Sequence, residues 1–98
     1  MAKLTTVYWR DIPAQVIAKE RRDAAKIVLT ERFAEAIDKA AMRAQMAGTD
    51  AYLEQWRREV TNCGPDLQAV VDAAAAELEQ TYDDTRLEAL IKNGGLNP

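Results

Sequence analysis

The stretch LTTVYWRDIPAQVIAK, residues 4–19, decides the fold. Its two ends, residues 4–9 and 14–19, are rich in β-branched and aromatic side chains, which is typical of strands. Between them, Asp11 can fold its side chain back on the backbone, and Pro13 fixes its own φ and biases the residue before it toward an extended conformation. The sequence therefore predicts an antiparallel hairpin with a loop of about four residues.

A third strand is predicted after a charged turn. The segment Glu20-Arg21-Arg22-Asp23 supplies the turn, and residues 25–29 form another short apolar run. Such a run fits either a strand or the early start of a helix. We favour the strand, because Thr30 is a good helix N-cap and Glu31 in a first turn suits the helix dipole.

Helical periodicity begins at Glu31 and continues to about Met46, where Gly48 ends it. One apolar stripe recurs at i, i+3, i+4, i+7, i+8 and i+11. Its members are Phe33, Ala36, Ile37, Ala40, Ala41 and Ala44. A second, short helix is predicted after Thr49 or Asp50. Its shared face consists of Tyr52, Leu53, Trp56 and Val60.

Two more helices are predicted beyond the break TNCGP at residues 61–65. Pro65 fits the first turn of a helix whose apolar stripe reaches Tyr82. The segment Asp83-Asp84-Thr85 marks a break and a new cap, and the last short helix stops at Asn93-Gly94-Gly95.

These elements predict an α+β fold: a small N-terminal antiparallel β-sheet of two or three strands, packed on the helix from Glu31, followed by a helical C-terminal half. With 98 residues the chain has room for one domain. We expect an α+β core over residues 1–60 and an acidic helical extension over residues 65–93 packed on it.

Composition excludes several classes of chemistry. The chain has no histidine and one cysteine, which excludes a zinc cluster, a disulfide framework and His-dependent catalytic triads. No metal or cofactor is expected, and no catalytic constellation is recognisable, so we do not expect an enzyme. No apolar run approaches the roughly 18 residues of a membrane span, and we expect a soluble, cytoplasmic protein without membrane contact.

Charge is divided unevenly along the chain. Residues 1–47 carry nine basic and six acidic side chains, 9 − 6 = +3, whereas residues 48–98 carry four and ten, 4 − 10 = −6. The sum is the net charge of −3, and with a pI near 4.9 it disfavours nucleic-acid binding. Halves of opposite sign can simply pack together, and they also allow a homodimer.

The candidate contact surface lies at the first turn, in Tyr8, Trp9, Arg10, Asp11 and Gln15. Strand alternation puts Tyr8 and Arg10 on one face and Trp9 on the other, so one aromatic is expected in the core and the other beside Arg10. An amphipathic aromatic next to an arginine is typical of a binding hot spot. The alternative is that both aromatics are core and that Arg10 pairs with Asp11.

Two further surfaces extend this hypothesis. Tyr52 and Trp56, on the predicted short helix, are a second candidate contact. Separately, Arg10, Gln15, Arg21, Arg22 and Arg43 could form a basic patch that holds a carboxylate or phosphate.

The run VYWRDIPAQV at residues 7–16, with ERF at 31–33, AID at 36–38, AMR at 41–43 and DAYLEQWRR at 50–58, resembles a small bacterial domain family labelled "virulence factor". The resemblance covers about residues 3–58. The family implies a domain that stands alone in alphaproteobacteria and is attached to helical-repeat proteins elsewhere. It implies no reaction and no binding residues, but it suggests an accessory role in folate and corrinoid one-carbon metabolism.

Two functions remain open. The first, which we favour, is a non-catalytic interaction module that docks on a larger cytosolic protein. The second is a small-anion or cofactor-binding protein, acting as an accessory subunit.

Overall fold

The computed structural model describes residues 2–97, which form an α+β fold of four antiparallel strands and four helices. The strands are β1 Lys3–Trp9, β2 Ile12–Glu20, β3 Asp23–Val28 and β4 Trp56–Asn62. The helices are α1 Glu31–Arg43, α2 Asp50–Glu54, α3 Leu67–Thr81 and α4 Asp84–Lys92. The sheet order is β3-β2-β1-β4, so β3 and β4 are its two edges.

The first hairpin is confirmed, but its turn is tighter than predicted. Only Arg10 and Asp11 lie between the strands, and Arg10 takes a positive φ of 55°. The register passes from the pair Val7 and Gln15 to the pair Tyr8 and Pro13, which leaves Ala14 as the extra residue of a β-bulge. Because a bulge interrupts the ladder, Pro13 is tolerated inside a central strand, and β2 can begin before it.

The third strand is confirmed as a strand, and the fourth was missed. Residues 56–60 were expected to continue the short helix, because Trp56 and Val60 are four residues apart, and residues 61–62 were expected in the break that follows. In the structure α2 ends at Glu54, and the segment pairs with β1 from Trp9 opposite Trp56 to Lys3 opposite Asn62. Trp56 and Val60 share a face in a strand as well as in a helix, and long-range pairing with β1 decides between the two.

Helix α3 provides the main cover of the sheet, which corrects the expectation that the helix from Glu31 does so. It packs on β2 and β3, where Val71 and Ala75 join Val16 and Ala18 in one buried cluster. Helix α1 contacts β2 less and packs chiefly against α4. The alanine-rich stripe of α1 allows that close helix-helix approach. Because α3 covers the sheet and α4 packs on α1, the acidic C-terminal half is an integral layer of the fold.

Helix ends follow the predicted signals in part. Asp83 caps α4 by accepting a hydrogen bond from the Arg86 amide, and Asn93 and Gly94 end that helix. Helix α1 stops at Arg43, before Gly48, because Gln45 already has a positive φ of 60°. Within residues 2–97 no helix combines the length and the apolar character needed to cross a bilayer.

An ion-pair network joins the start of α1 to the end of α3. The Glu79 carboxylate accepts hydrogen bonds from the Thr30 amide and hydroxyl, each at 2.9 Å, and from the Arg32 guanidinium at 3.0 Å. Arg32 also donates to the carbonyl oxygens of Glu79 and Tyr82. Burial alone would raise the pKa of Glu79, but the hydrogen bonds from Thr30 and the charge of Arg32 outweigh it and lower the pKa.

We expect Glu79 to make the stability of the fold acid-sensitive. Because its folded pKa lies below its ordinary value of 4.5, its contribution is complete above that pH and is lost as the pH falls through the folded value. Glu79→Gln should lower the free energy of unfolding by about 1–2 kcal/mol at pH 7, and this gap from the wild type should narrow as the pH falls below 4.5. Urea unfolding at several pH values measures it, with exposed Glu77→Gln as the control; a gap that does not change with pH would contradict the assignment.

Gly95 is expected to be the glycine least tolerant of substitution. A Cβ there would lie 2.6 Å from the Trp9 ring, and its φ is +94°. Gly95→Ala should therefore destabilise the fold by about 2–4 kcal/mol, through steric overlap and backbone strain together. Gly64 is the matched control, because a Cβ there meets nothing within 4 Å, and Gly64→Ala should change the unfolding free energy by less than about 0.5 kcal/mol.

Candidate functional site

Trp9, the centre of the predicted hot spot, is an interior residue. Its side chain is fully buried, its indole N–H donates to the Tyr52 carbonyl oxygen at 2.9 Å, and its ring stacks on the Tyr52 ring at 5.6 Å. Gly95 packs against the six-membered ring of the Trp9 indole. Trp9 therefore links β1 to α2 and to the C-terminal segment, and it offers no surface to a partner.

Arg10 is satisfied by internal contacts. Its guanidinium donates to the Gln55 amide oxygen, to the Gly94 carbonyl oxygen at 3.0 Å and to the Met46 sulfur. It also lies over the Trp9 ring, 5.4 Å from the centroid. The positive φ of Arg10 takes it out of the strand alternation, which is why it lies beside Trp9 and not beside Tyr8 as predicted. Its role here is to fasten the first turn to the C-terminal segment.

Tyr8 and Asp11 are tied to Arg57 on β4. The Arg57 guanidinium lies over the Tyr8 ring at 4.4 Å, pairs with Asp11 at 3.2 Å and with Glu59, and donates to the Arg10 carbonyl oxygen. Burial raises the pKa of Tyr8. Asp11 thus pairs with Arg57, and the expected alternative pair with Arg10 does not form.

The predicted anion site is not assembled. Arg10 lies in the turn before β2, whereas Arg21 and Arg22 lie in the turn after it, and nine extended residues separate the two turns by roughly 30 Å. Arg43 is in the last turn of α1, and Gln15 is on the sheet. Nor do residues 2–97 bring three histidine, cysteine or acidic side chains together as a metal site.

A different surface stands out, which we name the open face. It is the uncovered part of the side of the sheet opposite α3. Strand alternation and register place on it Lys3, Thr5, Val7, Gln15, Ile17, Lys19, Ala24, Lys26, Val28, Trp56, Arg58, Val60 and Asn62. Trp9, opposite Trp56, is on the same side of the sheet, but Tyr52 and Gly95 cover it. Val7 and Ile17 are apolar but do not belong to the core cluster or pack against it, which confirms that they point away from α3.

The open face is both apolar and basic. Three of its side chains are among the exposed large hydrophobic residues: Val28 at 65%, Val60 at 58% and Trp56 at 36%. Four others, Lys3, Lys19, Lys26 and Arg58, are cationic, and none is acidic. The acidic character of the whole chain is therefore absent from this surface.

Trp56 lies between two grooves beside this face. One groove, of about 320 Å³, is lined by Val7, Gln15, Trp56, Arg57 and Arg58. The other, of about 140 Å³, is largely apolar, and Val28, Leu29, Ile37, Tyr52 and Trp56 are among its lining residues. Tyr52 packs between the two indoles, with its ring 6.1 Å from that of Trp56 and nearly perpendicular to it. Of the ten candidate residues, Gln15 and Trp56 belong to the open face.

Lys26, Arg58 and Val60 were not among the predicted site residues. Lys26 and Val28 lay in a run whose structure the sequence left open between strand and helix. Arg58 and Val60 were assigned to a helix. No local signal in the sequence identifies them, because Trp56 and Val60 share a face in a helix and in a strand alike, and the charged Arg58 interrupts the apolar alternation that would indicate a strand.

We expect truncation of the two tryptophans to destabilise the fold by very different amounts. Trp9→Ala removes a fully buried indole and should cost about 3–5 kcal/mol of unfolding free energy. Trp56→Ala, at a partly exposed position on an edge strand, should cost less than about 1 kcal/mol. Chemical denaturation of both variants tests the assignment, and equal losses would show that Trp56 is a core residue.

Comparison with known proteins gives one match. The family model described as "Virulence factor" matches residues 7–91. This range includes α3 and nearly all of α4, so the family extends well beyond the residues 3–58 on which the sequence resemblance rested. No curated protein and no solved structure matches the chain.

Proposed function

The chain belongs to the virulence factor family, and we propose that it is a non-catalytic docking module whose open face binds an acidic surface of a larger protein. The observation that carries this proposal is the combination of exposed apolar and exclusively basic side chains on one uncovered sheet face. The accessory role in a larger assembly, and its place in the cytoplasm, belong to the same proposal.

The exposed hydrophobic side chains of the open face are the reason to expect that it binds another protein. Val28 lies on β3 and Trp56 and Val60 lie on β4, and the apolar side chains of Ile17 on β2 and Val7 on β1 lie between them. Clustered exposed hydrophobic residues with a polar surround are typical of interaction sites, and tryptophan and arginine are the residues most enriched in binding hot spots. Burial of these side chains against a partner would stabilise the complex.

The four cationic side chains of the open face are the reason to expect an acidic partner. Lys3, Lys19, Lys26 and Arg58 surround the apolar residues without a carboxylate among them. Opposite charge on the partner speeds association and selects against basic partners. Two copies of this face would repel each other, which argues against a face-to-face homodimer.

A protein partner fits the face better than a nucleic acid does. Sheet surfaces that bind single strands stack two or three bases on aromatic side chains. Trp56 is the one aromatic side chain of the open face that is exposed, and the net charge of the chain is −3. Aliphatic side chains with a few separated cations match a protein surface.

Charge reversal on the open face is the direct test. We expect Lys26→Glu combined with Arg58→Glu to weaken binding of the affinity-purified partner by about tenfold or more, because attraction becomes repulsion. Lys39→Glu with Arg43→Glu, on the exposed side of α1, makes the same change in net charge elsewhere and should alter affinity less than about twofold. Calorimetric titration at two salt concentrations measures this, and the unfolding midpoint of each variant checks the fold.

Two results would overturn the proposal. One is equal affinity for the wild type and the open-face double variant. The other is binding that disappears when the preparation is treated with nuclease, which would make a nucleic acid the occupant.

A further inference from the structure

The backbone N–H and C=O groups of successive β4 residues point alternately to β1 and to the outer edge of the sheet. At one end of the β1-β4 ladder the Arg10 amide donates to Gln55, and at the other the Cys63 amide donates to Ala2. Hydrogen-bonded pairs alternate in an antiparallel ladder, and the register is continuous between these ends. Residues 57, 59 and 61 therefore face β1, whereas residues 56, 58, 60 and 62 direct their N–H and C=O groups to the outer edge.

The outer edge of β4 is uncovered within residues 2–97. All seven of its residues are exposed, and its packing partner is β1. The other edge strand, β3, differs, because α3 packs on it and its alternate residues are half-buried. An uncovered edge with aligned free amides is a template for one more strand.

The same residues that present free amides also present side chains on the open face. Along the edge these side chains are Trp56, Arg58 and Val60, in the order apolar, basic, apolar. Directly opposite residues of neighbouring strands share a face with their Cβ atoms about 5 Å apart. A strand added here would match them best with an apolar, an acidic and an apolar residue at alternate positions.

The opposite side of β4 imposes no such preference. Its side chains there are Arg57, Glu59 and Thr61, and Arg57 already pairs with Glu59 and Asp11. Self-pairing is also disfavoured, because the register that sets Trp56 against Val60 of a second copy sets Arg58 against Arg58. Charge thus favours a different chain over a second copy.

We propose that β4 accepts an extended segment of the acidic partner as a fifth strand, with alternating apolar, acidic and apolar residues over Trp56, Arg58 and Val60. This inference rests on the proposed docking function and specifies its mode. Backbone hydrogen bonds supply part of the affinity, and the ion pair with Arg58 selects the acidic residue. The groove of about 320 Å³ between Trp56 and Arg58 leaves room for the added side chains.

The test uses a defined peptide, Thr-Val-Thr-Glu-Thr-Val-Thr with blocked ends, titrated into the isotope-labelled protein. We expect the largest amide shifts at Trp56, Arg58 and Val60. Val60→Pro removes an outward N–H but no bond to β1, so it should keep the fold and weaken the peptide about tenfold or more. Val60→Thr retains that N–H and should bind within about threefold of the wild type.

Peptide variants make the same test without changing the protein. N-methylation of the valine and glutamate residues blocks the amides that face β4 and should abolish binding, whereas N-methylation of the internal threonines should not. Replacement of the glutamate by lysine should weaken binding about tenfold or more.

The outcomes of these experiments test strand addition at β4 separately from the proposed docking function. Unchanged peptide affinity after Val60→Pro and after N-methylation would overturn strand addition, and equal binding of the lysine peptide would overturn the sequence preference. Concentration-dependent dimers of the wild type that Val60→Pro dissolves would make a second copy the occupant and also overturn it. Each result leaves the charge-reversal test with the purified partner to decide the docking function on its own.

Discussion

The packing of α3 on β2 and β3 is the constraint on which the rest of the structure depends. Its residues Val71 and Ala75 close the core over Val16 and Ala18 and cover one side of the sheet. The remaining helices pack around this layer, with α1 against α4. The other side of the sheet keeps the exposed side chains of Val28, Val60 and Trp56. The surface proposed for docking is thus a direct result of one-sided cover.

The first turn has a structural role that makes the open face possible. Arg10 binds Gly94 in the C-terminal segment, and Trp9 and Arg10 together bind the segment around Tyr52 and Gln55. Because this segment leads directly into β4, its attachment sets where that strand starts and keeps Trp56 at the surface. Residues that resemble a hot spot in sequence therefore act from the interior, and the contact surface lies one strand away from them.

Charge is separated by layer and not only by position in the chain. The open face has four cations and no carboxylate, although the whole chain has a net charge of −3. Acidic residues such as Asp83, Asp84 and Glu79 lie in the helical layer, where Asp83 caps α4 and the other two pair with Arg32. Such a division orients an approaching acidic partner toward the sheet, because that is where attraction and apolar contact coincide.

The sequence by itself determined the first hairpin, α1, α3 and α4, because each is specified by local periodicity, turn chemistry or a cap. It favoured the third strand over an early helix without deciding between them. Fold class followed from these elements. Tertiary structure alone decided that residues 56–62 form a strand, since their pattern fits helix and strand alike and only the pairing with β1 separates the two. It also decided the fate of Trp9 and Arg10, because burial depends on Tyr52 and Gly95, which are distant in sequence. The open face could not be found from sequence for the same reason: its residues come from four strands, and which side α3 covers is set by packing between distant segments.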